Sequence, residues 1–128
     1  MFRQLPPGAE EELKRRLAAY AATRAPEAAI AGIIDLGEGT ALRVESEGLE
    51  DIRYDLALAL HGLLTPQDIA PWRPHVTIQN KVEPKQARAL QARLRAGFER
   101  RPLVIKGLAL WRYLGGPWEP VKQFTFRG

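Results

Sequence analysis

A histidine and a threonine two positions apart are the residues of this chain best suited to chemistry. They are His75 and Thr77, with Val76 between them. Alternation over 75–79 predicts a strand in which His75 and Thr77 face one side, while Val76 and Ile78 face the core. An imidazole exchanges protons near neutral pH, and a hydroxyl donates hydrogen bonds to phosphate oxygens. The pair therefore suits acid–base chemistry at a phosphate group, although the same triplet also fits an ordinary strand with a half-buried histidine.

The charge distribution adds a second indication of an anionic ligand. The net charge is +4, from 19 Lys and Arg against 15 Asp and Glu. Residues 1–60 carry a balance of −4 and residues 61–128 a balance of +8. A positive field favours phosphorylated or nucleic-acid ligands, and the alternative is a solvated basic helix. Arg73 and Lys81 flank the His75 strand and are candidates for substrate binding through contacts with phosphate. Alternatively, they are surface charges that only keep the protein in solution.

Aromatic residues near the C-terminus provide candidates for base stacking. They are Trp111, Tyr113 and Trp118. An aromatic face near a phosphate site stacks a base without reading its sequence. The alternative is that these rings pack on one face of a hairpin, and we favour packing for Trp118. Trp111 and Tyr113 are therefore the two predicted substrate-binding aromatics.

Composition excludes several classes of site and of protein. The chain has no cysteine, which removes disulfides, thiolate nucleophiles and zinc–cysteine sites. We expect no metal and no cofactor. No apolar run reaches the ~20 residues of a bilayer span, and the N-terminus lacks a signal-peptide core, so we expect a cytoplasmic protein without membrane contact. The second histidine, His61, follows a Leu-rich helix and has no threonine two positions on, which favours a structural or solvated role.

Periodicity along the chain predicts an α+β order of elements. Apolar spacing predicts helices from Ala9 to Thr23, from Ser46 to about Gly62 and from Pro84 to about Phe98, the last with Leu90, Leu94 and Phe98 inward. A capped turn is expected at 65–68. Hairpins are predicted over 28–45, and over 103–126 around Gly115, Gly116 and Pro117. A small domain of helices and antiparallel strands follows.

The order of elements repeats once within the chain. Residues 2–7 align with 78–83, and both segments continue as helix and then hairpin. The sequence thus predicts one bilobal domain over 1–128, with 1–46 as the remnant of a first repeat and 47–128 as the second. The counterpart of 75–77 falls at or before Met1. Either Met1 replaces the threonine of a degenerate first copy, or the reading frame begins after a motif that longer relatives retain.

Residues 71–82, the helix opening at Pro84 and the hairpin around 108–118 together resemble the 2H phosphoesterase superfamily. The closest likeness is to the bacterial group of 2′-5′ RNA ligases and RNA 2′,3′-cyclic phosphodiesterases. The resemblance implies two pseudo-symmetric lobes of antiparallel sheet with flanking helices, and two His-x-Thr motifs that face each other without a required metal. His75 and Thr77 match the second motif and are then the catalytic residues. The N-terminal strand and helix of the first repeat are expected to be missing.

The resemblance implies a domain that acts on, or binds, RNA ends with 2′,3′-cyclic or 2′-5′ phosphodiester groups. Opening a cyclic phosphate needs both a base and an acid, and one imidazole cannot hold both protonation states at once. Three outcomes stay open: a shortened phosphoesterase with impaired catalysis, two chains that each contribute His75, or a non-catalytic nucleotide or RNA-binding domain. A missing strand would leave a sheet edge unpaired, which favours a homodimer. A scaffold unrelated to phosphate is the remaining alternative.

Overall fold

A computed structural model describes residues 1–3, 5–113 and 115–127. Gln4, in the first predicted repeat, and Leu114, in the second predicted hairpin, lie outside the described residues, as does Gly128. In chain order the elements are a 3₁₀ turn (Pro7–Ala9), α1 (Glu10–Ala21), β1 (Ala28–Asp35), β2 (Thr40–Glu45), α2 (Glu47–Ala59), α3 (Pro66–Ile69), β3 (His75–Gln79), α4 (Pro84–Ala96), β4 (Arg101–Leu103), β5 (Gly107–Arg112) and β6 (Glu119–Thr125). The predicted α+β class is confirmed.

The chain divides into two compact units, and neither is continuous in sequence. Unit 1 comprises Met1–Pro26, Gly48–Ala70 and Ile105–Gly128, and unit 2 comprises Glu27–Glu47 and Pro71–Val104. The predicted repeat boundary after residue 46 concerns similarity along the sequence, and it stays a prediction. Within the described ranges, no helix is long and apolar enough to cross a bilayer.

Unit 2 contains an antiparallel sheet with the strand order β3-β2-β1-β4. Helix α4 packs against the two central strands, β1 and β2. Pro84 opens this helix, and Glu83 and Gln86 exchange side-chain to backbone hydrogen bonds in a capping box. The face that α4 turns to the sheet buries Ala87 and Gln91 completely. The helix and the central strands thus form the core of unit 2, and β3 pairs with β2 at the edge of the sheet.

The turn between β1 and β2 depends on two glycines. Gly37 adopts φ +84°, a conformation that L side chains rarely take. Gly39 packs so closely against β3 that a Cβ atom would lie 2.2 Å from the Gln79 carbonyl oxygen. Beyond β3 the chain stays attached to this turn, because the Val82 amide donates to the Glu38 carbonyl at 3.0 Å. The turn therefore fixes the end of the strand that carries His75.

Unit 1 is built around the apolar face of α1. The buried cluster comes from the 3₁₀ turn, α1, the end of α2 with the residue after it, and β6; its members are Ala9, Leu13, Leu17, Ala21, Leu56, Leu60 and Phe124. The β5–β6 hairpin is also joined to α1 by an ion pair, since Arg112 Nη2 lies 2.6 Å from Glu10 Oε1. The Glu10 carboxylate raises the pKa of Arg112 above its ordinary value. The helix and hairpin predicted from the sequence thus share one core.

Two details of the sequence predictions are wrong. Val76 and Ile78 are 42% and 45% exposed instead of facing the core, because β3 is an edge strand and α4 packs mainly against β1 and β2. The segment 103–113 is not one strand, since β4 pairs with β1 while β5 pairs with β6. On α4, Leu90 and Leu94 lie on the same face as the buried Ala87 and Gln91 and are partly buried, as is Phe98 just beyond the helix.

Candidate functional site

The site is built on β3, which places His75 and Thr77 on the same face of the sheet. In the register between β2 and β3, Arg43 is opposite His75 and Ala41 is opposite Thr77. The strand enters the sheet directly after Pro74, whose carbonyl accepts from the Val44 amide at 3.0 Å. Both side chains of the predicted pair are exposed. This exposure leaves both side chains accessible to a ligand.

The imidazole of His75 is held by the backbone that precedes it. Its Nδ1 atom lies 2.7 Å from the carbonyl oxygen of Arg73. Because a carbonyl only accepts hydrogen bonds, this contact requires a proton on Nδ1. In the neutral ring, Nε2 then carries the lone pair and can accept a proton; in the charged ring, Nε2–H can donate one. The contact thus orients one ring and leaves its other nitrogen available for chemistry.

Arg73 and Lys81 flank the strand as the sequence predicts, and both are exposed. Lys81 adopts φ +55°, in the left-handed region that favours glycine, and it is the one non-glycine residue with positive φ in the described part of the chain. Backbone strain of this kind is concentrated at functional positions. The preceding residue supports the turn, since the Asn80 side-chain oxygen accepts from the Lys81 amide at 3.0 Å. The Lys81 side chain thus starts from a defined backbone position close to the end of the strand.

The predicted aromatic residues belong to unit 1, whereas His75, Thr77, Arg73 and Lys81 belong to unit 2. Trp111 lies on the exposed side of β5, where Leu108 and Leu110 alternate to the half-buried side. The ring centroids of Tyr113 and Trp118 are 5.0 Å apart, with the planes tilted by 47°. Trp118 thus packs against another ring, as expected, yet all three aromatic side chains remain about half exposed.

Arg43 is the residue near this site that the sequence analysis missed. Its guanidinium donates to the Ala31 carbonyl at 2.9 Å and to Glu45 at 2.8 Å. In the sequence, Arg43 and Glu45 alternate with Leu42 and Val44, a pattern that indicates a common polar face. It carried no information on the register with β3, which alone brings Arg43 opposite His75.

Acidic and histidine side chains are the metal ligands that this cysteine-free chain can offer. In residues 1–3, 5–113 and 115–127, no group of three or more of them is arranged to hold a metal ion.

The α+β fold with its His-x-Thr strand is that of a 2H phosphoesterase-like protein. The family model described as the 2′-5′ RNA ligase superfamily matches residues 2–117, and the chain belongs to that superfamily. The matched range includes the His75–Thr77 pair, both flanking cations and both predicted aromatics. A comparison with the curated proteins gives no match.

Proposed function

We propose that the chain opens 2′,3′-cyclic or 2′-5′ phosphodiester groups at RNA ends, with His75 as the acid–base residue and Thr77 as a phosphate ligand. The observation that carries this proposal is the contact of His75 Nδ1 with the Arg73 carbonyl at 2.7 Å. It leaves Nε2 on an exposed surface, on the same sheet face as the Thr77 hydroxyl. Membership of the 2′-5′ RNA ligase superfamily supports the substrate class.

The reaction follows from the roles of these atoms. In hydrolysis of a 2′,3′-cyclic phosphate, a water oxygen bonds to phosphorus while one of the two bonds from phosphorus to a ribose oxygen breaks. A base takes the proton of the water, and an acid returns a proton to the departing ribose oxygen. His75 Nε2 performs one of these transfers. The Thr77 hydroxyl donates to a non-bridging oxygen, and Arg73 and Lys81 attract the charge that develops there.

The other proton transfer needs a second group, because one imidazole cannot be base and acid at once. Residues 1–128 contain one His-x-Thr triplet. We propose that a second copy of the chain supplies it, through an edge of the sheet. β3 is the terminal strand in the described sheet, and edge strands are open to pairing with another chain. Light scattering across a concentration series checks this proposal. We expect a dimer whose formation tracks the specific activity, and a monomer at all active concentrations would contradict it.

The competing function is a domain that binds nucleotides or RNA without turnover. The half-exposed rings of Trp111 and Tyr113 favour it as much as they favour an enzyme, since stacking alone contributes about 1–3 kcal/mol per base. Binding of a 2′,3′-cyclic nucleotide without hydrolysis would support this second function. Both functions would be overturned if the protein neither bound nor hydrolysed this nucleotide.

The direct test is hydrolysis of 2′,3′-cyclic nucleotides and of a 2′-5′-linked dinucleotide by four proteins. These are the wild type, His75→Ala, Thr77→Val and the matched control His61→Ala. We expect a loss of about 10²–10⁴-fold for His75→Ala, which is typical of a missing acid–base group, and a smaller loss for Thr77→Val. His61→Ala should retain the wild-type rate. Equal rates for the wild type and His75→Ala would remove His75 from catalysis.

A further inference from the structure

One row of residues crosses three strands of the sheet on the face that carries His75. Register places Gly32 of β1 opposite Arg43 of β2, and Arg43 opposite His75 of β3. The Arg43 side chain extends over β1, because a Cβ atom on Gly32 would lie 3.1 Å from Arg43 Nε. The absence of a side chain at position 32 thus makes room for the guanidinium at this end of the row.

The guanidinium is fixed by partners that leave it charged and accessible. Ala31 and Glu45 accept from its two terminal nitrogens, and Arg100 also donates to Glu45. Hydrogen bonds from Arg100 and Arg43 lower the pKa of Glu45, so its carboxylate stays ionised. Two guanidinium groups and one carboxylate leave one net positive charge. The Arg43 side chain is 46% exposed, and a guanidinium has five N–H donors, which exceeds what these two partners use.

Strand spacing separates this charge from the imidazole. Neighbouring strands are about 4.8 Å apart, so a group over β1 is roughly 10 Å across the sheet from β3. Hydrogen bonds span about 3 Å between donor and acceptor. A single phosphate beside His75 and Thr77 therefore cannot also contact the guanidinium over Gly32. A second phosphate farther along the same strand of RNA can.

We propose that Arg43 binds the phosphodiester that neighbours the reacting one, which makes the preferred substrate the end of an RNA oligonucleotide instead of a free cyclic mononucleotide. This inference deepens the proposed function and rests on it. Arginine suits the task because its planar donors match phosphate oxygens in a bidentate arrangement. Arg43 is then a specificity-determining residue that does not touch the reacting atoms.

The test compares two substrates that differ only in the neighbouring phosphate. One is a 2′,3′-cyclic mononucleotide, and the other is a short oligonucleotide that ends in the same cyclic phosphate. For Arg43→Gln we expect kcat/KM on the oligonucleotide to fall at least about tenfold through KM, since a hydrogen bond to a charged group is lost. The mononucleotide rate should stay within about twofold. Arg93→Gln, an exposed change on α4, is the matched control and should leave both substrates unaffected.

Two further variants separate position from charge. Gly32→Ala leaves Arg43 intact, but its new Cβ atom would lie 3.1 Å from Arg43 Nε and shift the side chain by a few tenths of an ångström, so we expect a smaller loss on the oligonucleotide alone. Arg43→Lys keeps the charge without the planar donors and should lie between the wild type and Arg43→Gln. Equal losses on both substrates, or no loss on either, would overturn the role of Arg43.

Binding distinguishes a failure of this inference from a failure of the proposed function. Anisotropy of a labelled oligonucleotide that ends in a 3′-phosphate measures affinity without turnover. If the wild type hydrolyses neither substrate but Arg43→Gln still binds this probe at least about tenfold more weakly, the phosphate contact stands and the proposed reaction falls. Loss of one phosphate contact also reduces the slope of log affinity against log salt concentration by about one. Unchanged affinity and salt dependence would overturn the contact.

Discussion

The side-chain nitrogen of Gln91 lies 3.2 Å from the hydroxyl oxygen of Thr40, and both residues are almost completely buried. The same nitrogen approaches the Gly39 carbonyl at 3.1 Å and the Asp35 carboxylate at 3.0 Å. The Thr40 hydroxyl in turn donates to the side-chain oxygen of Gln79 at 3.0 Å, at the end of β3. A buried polar network thus joins α4, the β1–β2 turn and the strand that carries His75.

Gln91→Leu should destabilise the chain, because it removes the donor of this network and leaves buried acceptors without it. A lost partner of this kind costs about 1–3 kcal/mol in the free energy of unfolding. Urea unfolding measures the difference. Arg93→Leu puts the same side chain on an exposed position of α4 and should change stability by less than about 0.5 kcal/mol. Equal effects of the two variants would contradict a structural role for the buried amide.

Lys81→Gly should raise stability while it weakens phosphate binding. The left-handed conformation at φ +55° costs a residue other than glycine about 1–2 kcal/mol, and glycine removes this strain. Glycine also makes the unfolded chain more flexible, which lowers the free energy of unfolding by about 0.5–1 kcal/mol. The net gain expected in urea unfolding is up to about 1.5 kcal/mol. Lys81→Ala removes the same charge but keeps the strain, so it should weaken binding equally without the gain. Unchanged binding in both variants would leave Lys81 with no role in the site.

The loss of folding stability at low pH should depend on Asp35. Hydrogen bonds from the Gly37 amide and the Gln91 side chain lower the pKa of this carboxyl below its ordinary value of 3.8. Its contribution is complete above that unfolded-state value and is lost as the pH falls through the lower folded-state value. The stability difference between wild type and Asp35→Asn should therefore be constant near neutrality and shrink below about pH 4. Urea unfolding from pH 7 to 2.5 checks this, and a difference independent of pH would contradict it.

Local patterns predicted the parts of this protein that depend on neighbours in sequence. Alternation over 75–79 correctly gave the strand with His75 and Thr77 on one face, and Pro84 correctly marked the start of α4. The exposure of Val76 could not be predicted in the same way. Whether one face of an alternating strand is buried depends on the position of the strand in the sheet. The strand order is set by pairings between segments that are distant in sequence.

The residues missed by the sequence analysis share one property. Arg43 matters through its register with β3, and Gln91 through its contact with a turn more than fifty residues earlier in the chain. An arginine in a strand and a glutamine in a helix each look like ordinary surface residues by type. Only the three-dimensional pairing reveals that the first shares a face with His75 and that the second is buried.

The interleaved course of the chain has a consequence for handling its gene. The polypeptide passes from one unit to the other at residues 26–27, 47–48, 70–71 and 104–105. Neither unit is encoded by a single stretch of DNA, so no simple truncation yields either of them as a free-standing fragment. Recombination with a homologous gene at a single crossover, wherever it falls between the first and last of these passages, would mix parental residues inside both units.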